Sequence, residues 1–129
     1  MKNTSVPTNN LVHVIYPDEF SAGFVIKTDG EVDPHDILEM VFAQWNHGSG
    51  SESEMFVKSN KRSLSVNDIV CVNGRYYQCE SFGWKEVTSD YVNELEQAVE
   101  NHPRRSDGAW FALMDVMWER NKNRELVVA

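Results

Sequence analysis

The chain has 129 residues, of which 41% are hydrophobic and 25% charged, with four tryptophans and a formal net charge of −8. Such a length and balance suit one folded domain with a core of its own, and exclude a disordered or fibrous chain. The acidic sign argues against direct nucleic-acid binding, which works by neutralising phosphates with basic side chains.

The first residues, Met1-Lys2-Asn3-Thr4-Ser5, lack the apolar run of a secretory leader. The longest unbroken apolar run, Ala109 to Met114, is too short to span a membrane. The expected compartment is the cytoplasm.

Leu11 to Tyr16 is rich in β-formers and predicts a first strand, closed by Pro17. Ala22 to Lys27 predicts a second, with Thr28-Asp29-Gly30 as the turn after it. Asp33-Pro34-His35-Asp36 reads as a helix start, with Asp33 as cap and Pro34 at the first helical position. Ile37, Leu38, Val41, Phe42 and Trp45 then recur at helical spacing, and His47-Gly48 ends the helix. Gly48 to Glu54 is a polar, flexible loop.

The clearest local signal is Asn73-Gly74. It predicts a two-residue hairpin between Ile69–Val72 and Arg75–Cys79, the first strand apolar on both faces and therefore central. In that register Cys71 faces Tyr76, and Cys71 and Cys79 point to opposite sides of the sheet, so they do not pair as a disulfide. Trp84 to Val87 predicts a further short strand after a bend at Gly83. Ser89 would cap a helix burying Tyr91, Val92, Leu95, Ala98 and Val99 and ended by Asn101-His102-Pro103. Ser106 would cap another, which carries Trp110, Phe111, Leu113, Met114, Met117 and Trp118. Glu125 to Ala129 is left as a last strand or a loose tail. The whole is an α+β chain, with about three helices packed on a largely antiparallel sheet in one domain.

Chemistry-bearing patterns are sparse. His13, His35, His47 and His102 show no metal-ligand spacing with one another or with the cysteines. Ser81-Phe82-Gly83-Trp84 lacks the glycines of a nucleophile elbow. Neither cysteine has a histidine close in sequence. No phosphate-binding or dinucleotide fingerprint occurs. The expectation is therefore no catalytic residue, no cofactor and no metal. The aromatic run Tyr76, Tyr77, Phe82 and Trp84 reads as packing, since no basic field surrounds it. Lys58, Lys61 and Arg62, and then Arg104 and Arg105, read as solvated loop charges.

The acids are more informative. Residues 1–57 hold nine acids against two lysines, whereas residues 58–129 hold eleven acids against ten bases. The helix after Ser89 carries Asp90, Glu94, Glu96 and Glu100, with like charges at i, i+4 and no lysine to relieve them. Asp33, Asp36 and Glu39 mark the first helix. These two sets, Asp33, Asp36 and Glu39 with Glu94, Glu96 and Glu100, are the candidate partner-binding residues. Their sign calls for a basic surface on another protein.

The stretch "RSLSVNDIVCVNGRYYQCESFGWKEV" resembles the end of YodL-like domains. Ser63-Leu64-Ser65-Val66, Asp68, Val70, Tyr77, Ser81-Phe82-Gly83 and Glu86 stand at that family's places, and "DILEMVFAQWN" resembles the helix before the motif. The similarity spans about residues 36–87 and departs at Cys79-Glu80 and in the loop 47–62. It implies a protein of plasmids, integrative elements or phages, a family sometimes linked to antirestriction, with no catalytic residues to carry over. Within the motif Ser65 and Asp68 are expected to bond local backbone, and Val70, Tyr77 and Phe82 to pack a core.

Charge and resemblance together lead to an expected function. The chain is read as a small acidic, non-catalytic protein of a mobile element that binds and inhibits or modulates a host protein. That partner would present a basic surface, as a nucleic-acid-binding defence component does, which makes the protein an anti-restriction or anti-CRISPR type. The alternatives are a cysteine-dependent enzyme and a regulatory adaptor unrelated to defence. The sequence does not fix the oligomeric state.

Overall fold

The structure, a computed structural model, describes residues 6–127, with side chains to Glu119. The reading of residues 1–5 lies outside that range. Five strands run β1 (Pro7–Tyr16), β2 (Phe20–Asp29), β3 (Ile69–Val72), β4 (Arg75–Cys79) and β5 (Trp84–Val87). They form one sheet in the order β2-β1-β3-β4-β5, every neighbouring pair antiparallel. Helices α1 (Pro34–Gln44) and α2 (Glu54–Ser59) lie between β2 and β3, and α3 (Ser89–Glu100) and α4 (Asp107–Val127) follow β5. The α+β expectation holds.

The Asn73-Gly74 turn is the one the sequence predicts. Asn73 has φ of +50° and Gly74 of +86°, the left-handed pair of a type I′ turn, and Val72 faces Arg75 while Cys71 faces Tyr76. Asn73 also latches the turn onto β1. Its N–H donates to the Leu11 carbonyl at 2.8 Å, its side-chain oxygen accepts from the Leu11 N–H at 2.8 Å, and its amide donates to Asn10 at 3.1 Å. A Cβ at Gly74 would meet nothing within 4 Å, so any cost of a larger residue there is backbone strain alone. Gly74→Val is expected to lose about 1–3 kcal/mol, read as a lower urea midpoint. An unchanged midpoint would mean the turn tolerates a β-branched residue at positive φ.

Strand alternation builds two cores. Val12, Val14 and Tyr16 of β1, Ile26 of β2, Val70 and Val72 of β3 and Tyr77 of β4 face one side, where Ile37, Leu38, Val41 and Trp45 of the α1 region, Phe56 of α2 and Leu64 cover them. Ile69, with Ile15, Tyr76 and Val87 beside it, faces the other side, under Tyr91, Val92 and Leu95 of α3 and Leu113 and Met117 of α4. Helix α1 and the α3–α4 pair therefore sit on opposite faces of the sheet. Among the described residues, no helix is long and apolar enough to cross a membrane.

The structure departs from expectation where tertiary contacts override local signals. β1 and β2 extend to ten residues each, because they pair along their whole length and Asn10 is satisfied inside the ladder by the Ile26 carbonyl and Thr28 Oγ. The polar loop after α1 is held rather than free. Gly48 N–H donates to Glu52, Ser53 N–H to the Gln44 carbonyl, and Ser53 caps the short helix α2, which the sequence reading missed. That makes four helices among the described residues. α1 stops at Gln44, with Trp45 as its cap, ahead of the expected His47-Gly48. Thr88 rather than Ser89 caps α3, because its hydroxyl accepts from Tyr91 N–H at 3.1 Å. Ser106 does accept from Ala109 N–H at the start of α4. Glu125 to Val127 continue α4 instead of forming a strand, and Val128 and Ala129 lie outside the described residues.

Two aromatic assignments also change. Phe82 is 96% exposed at the bend before β5 and packs no core, while Phe42 of α1 is partly exposed against Trp84. On α4 only Leu113 and Met117 of the six named apolar residues are buried; Trp110, Phe111 and Trp118 face solvent.

Candidate functional site

The candidate acids take their positions from helix starts. Asp33 Oδ1 accepts from His35 N–H at 2.8 Å and caps α1, Pro34 fits the first helical position, and Asp36 lies in the first turn, where the helix dipole favours a negative charge. Glu39 follows three residues on. With Ile37, Leu38 and Val41 turned inward, Asp33, Asp36 and Glu39 form one exposed ridge along the outer side of α1. The helix carries no lysine or arginine. On α3, Asp90, Glu94, Glu96 and Glu100 are all exposed around a buried Tyr91-Val92-Leu95 face.

The structure brings each set together but keeps the two sets apart. Because α1 and α3 cover opposite faces of the sheet, no single flat partner surface touches both. The exposure of these acids was legible in the sequence, and their division between two faces was not.

The sequence reading missed a charged hub at the base of β1. Arg62 donates to Asp68 through both terminal nitrogens, at 2.6 and 2.9 Å, and to Glu19 at 3.0 Å, and its guanidinium lies 4.5 Å from the centre of the Tyr16 ring. Tyr16 Oη in turn donates to the Arg62 carbonyl at 2.7 Å. Asp68 also accepts from Ser65 N–H at 2.8 Å, which is the local backbone bond expected of the motif. Burial pushes the Asp68 carboxyl up, against the pull of Arg62 and of the Ser65 N–H. Of the other bases read as solvated, Lys61 is only partly exposed and the rest stay in solvent. Lys61 lies over Phe20 and Arg104 reaches the Glu19 carbonyl at 3.5 Å, while Lys58 pairs with Glu54 at i, i+4 in full solvent and Arg105 is exposed, only its backbone N–H donating to Asp18, at 2.6 Å. None of these groups forms a phosphate track.

An open recess of about 340 Å³ lies between the β1–β2 turn and the start of α4, lined by Asp18, Glu19, Arg105, Asp107, Trp110 and Leu113 among others. Among the described residues, no three His, Cys, Asp or Glu side chains converge as metal ligands.

Cys71 and Cys79 are free thiols on opposite sheet faces. Pairing of β1 with β3 sets His13 directly across from Cys71, a neighbour that their distance in sequence hid. The ring lies against Gly23 on the other flank, where an added Cβ would come within 3.2 Å of Nδ1. Burial pushes both thiols up, which keeps them protonated and poorly nucleophilic.

Tyr16 shares that direction, because burial first and then the Asp68 charge raise its phenol well above the ordinary value. All three groups thus have folded pKa values above their unfolded ones of about 8.5 for a thiol and about 10 for a phenol. The stability they contribute is fully present below those unfolded values. It is lost as pH rises through the folded ones, because the unfolded chain gives up its protons first. The urea midpoint is therefore expected to fall above about pH 9, and Tyr16→Phe to flatten the decline above about pH 10. A midpoint level up to pH 11 in the wild type would remove the basis for this account.

The uncharacterized protein R785 of Acanthamoeba polyphaga mimivirus is 28% identical to this chain over 72 residues, which cover 51% of the chain and 67% of that protein. No family model matches the chain. No solved structure matches it.

Proposed function

We propose that this is a small, acidic, non-catalytic protein of a mobile genetic element, acting in the host cytoplasm by binding a host protein with a basic surface and inhibiting or modulating it. The observation that carries the proposal is the ridge of Asp33, Asp36 and Glu39 on α1. It has three exposed carboxylates in a row, a firmly capped helix beneath them and no base on that helix to neutralise them. A nucleic-acid-binding defence component would offer the complementary positive surface. The YodL-like resemblance of residues 36–87 and the likeness to a viral protein support an origin in a mobile element. The raised thiols count against the cysteine-enzyme alternative.

The test starts from a partner captured from host lysate and identified by mass spectrometry. Asp33→Asn, which preserves the cap, combined with Asp36→Lys and Glu39→Lys, is expected to slow association about tenfold or more, with little change in folding, because exposed charges steer encounter but add little stability. Reversing Glu94, Glu96 and Glu100 is expected to leave the rate nearly unchanged, since α3 faces away from α1. The wild-type rate should fall with salt as screening shortens to about 3 Å at 1 M. If both triple variants associate at the wild-type rate across the salt series, the acidic ridge is not the binding surface.

A further inference from the structure

The two edges of the sheet are unlike. β5 is four residues long and carries Lys85 and Glu86. A short, charged edge of that kind resists pairing with other chains. β2 is ten residues long and pairs with β1 residue for residue, from Tyr16↔Phe20 to Pro7↔Asp29, without a bulge. It contains no proline, and Lys27 and Asp29 are its only charges. None of the usual devices that blunt a long edge is present along it.

The hydrogen bonds of β1 show which groups of β2 face outward. Leu11 turns both its N–H and its carbonyl to Asn73, toward β3. Leu11↔Val25 is therefore one of the non-bonded pairs of the antiparallel ladder, and the N–H and carbonyl of Val25 point away from β1. The alternation extends this to Ser21, Gly23, Lys27 and Asp29. Among the described residues, these outward backbone groups have no hydrogen-bond partner. A row of open N–H and carbonyl groups at strand spacing is complemented by another extended strand.

The spacing of these groups makes β2 its own complement. Let two copies pair antiparallel about a two-fold axis at Val25. Val25 then bonds to its own copy, Gly23 to Lys27 of the second copy, and Ser21 to Asp29 of the second copy, so that every outward group is used. An axis one residue earlier, at Phe24, would set Asp29 opposite Glu19 of the second copy, two like charges. On the core side, the Val25 axis lays the half-buried Phe24 beside Ile26 of the second copy, and the apolar row Phe20, Ala22, Phe24 and Ile26 runs on from one copy into the other. On the other side Val25, 50% exposed in the single chain, is covered by its own copy. We infer that the outer edge of β2 is a self-association surface, at which two copies of the chain pair β2 to β2 about a two-fold axis at Val25 and form one continuous sheet.

The contact is made of backbone hydrogen bonds and apolar side chains, whereas each copy carries a net charge of −8. Salt therefore screens repulsion between the copies and does not weaken the dimer, the reverse of its effect on a contact made by the α1 acids.

Sedimentation velocity of the full chain over a wide concentration range is expected to show a monomer–dimer equilibrium that added salt leaves unweakened. Val25→Pro removes an outward N–H but no bond to β1, and should shift the equilibrium at least about tenfold toward monomer. Val25→Glu makes the same test with the backbone intact and, because Val25 is exposed, with little change in the urea midpoint. It sets two carboxylates face to face on the axis and should be monomeric, as should Val25→Lys. An equimolar mixture of these last two variants should dimerise within about tenfold of the wild type. In the wild type, amide hydrogen exchange at Gly23, Val25 and Lys27 should slow as concentration rises. A wild type that stays monomeric throughout, a dimer undiminished by Val25→Glu, or slowed exchange that spares β2 overturns the proposal. A mixture that remains monomeric overturns the axis at Val25.

Discussion

Truncating Trp45 to alanine is expected to cost about 3–5 kcal/mol, a large share of the roughly 5–15 kcal/mol that holds a domain of this size folded. Trp45 is fully buried at the end of α1, and four aromatic rings surround it. Phe24 stacks on it at 5.9 Å, Phe56 lies at 5.3 Å, and Tyr16 and Phe20 at 6.3 and 6.2 Å. These rings come from β1, β2 and α2, so the indole is the point at which three elements meet α1. No single neighbour can collapse into the space it would leave. The check is the urea midpoint, with Trp110→Ala as control. That residue is as large but exposed, and its loss should stay within about 0.5 kcal/mol. A loss at Trp45 no greater than at Trp110 would show that the aromatic cluster is not the centre of this core.

The second large effect belongs to Asp68. Removing its carboxylate leaves the Ser65 N–H without that partner and Arg62 with Glu19 as its carboxylate, beside the Ser63 carbonyl and the Tyr16 ring. Breaking a buried pair costs about 3–5 kcal/mol. Arg62 is partly solvated, so about 2–3 kcal/mol is expected for Asp68→Ala. Asp68→Asn should cost less, because its amide oxygen still accepts from Ser65. A double-mutant cycle with Arg62→Ala separates the pair from the rest of the site. Coupling below about 0.5 kcal/mol would mean that Asp68 acts through the Ser65 bond alone.

The legible parts of this fold are those that short-range chemistry dictates. Asn73-Gly74 can hardly be anything but a tight hairpin turn, and Asp33-Pro34 writes the start of α1 in adjacent letters. α2 was hidden because its six residues, Glu54 to Ser59, bury only Phe56, and no periodicity can show in so short a run. The Arg62 hub was hidden because Glu19 lies far away in sequence and reaches Arg62 only once β1 is in place. On α4 the helical spacing identified the apolar residues correctly. It does not say which of two adjoining rows a neighbour covers, and that depends on where α3 lies. The candidate acids follow the same rule, since exposure is a local property whereas a shared face belongs to the whole sheet.

The sheet is two local ribbons joined at one seam. β1 and β2 form one ribbon across a short turn, and β3, β4 and β5 form the other. Their strands pair along Val12↔Val72 to Ile15↔Ile69, with β2, α1 and α2 in the chain between. Each ribbon closes through neighbours in sequence, but the seam joins residues more than fifty positions apart, and contacts of that kind are slow to form. Assembly of the native sheet is thus paced by the docking of two ribbons rather than by the making of either. Asn73, which grips Leu11 from the tip of the second ribbon, sits where that docking locks.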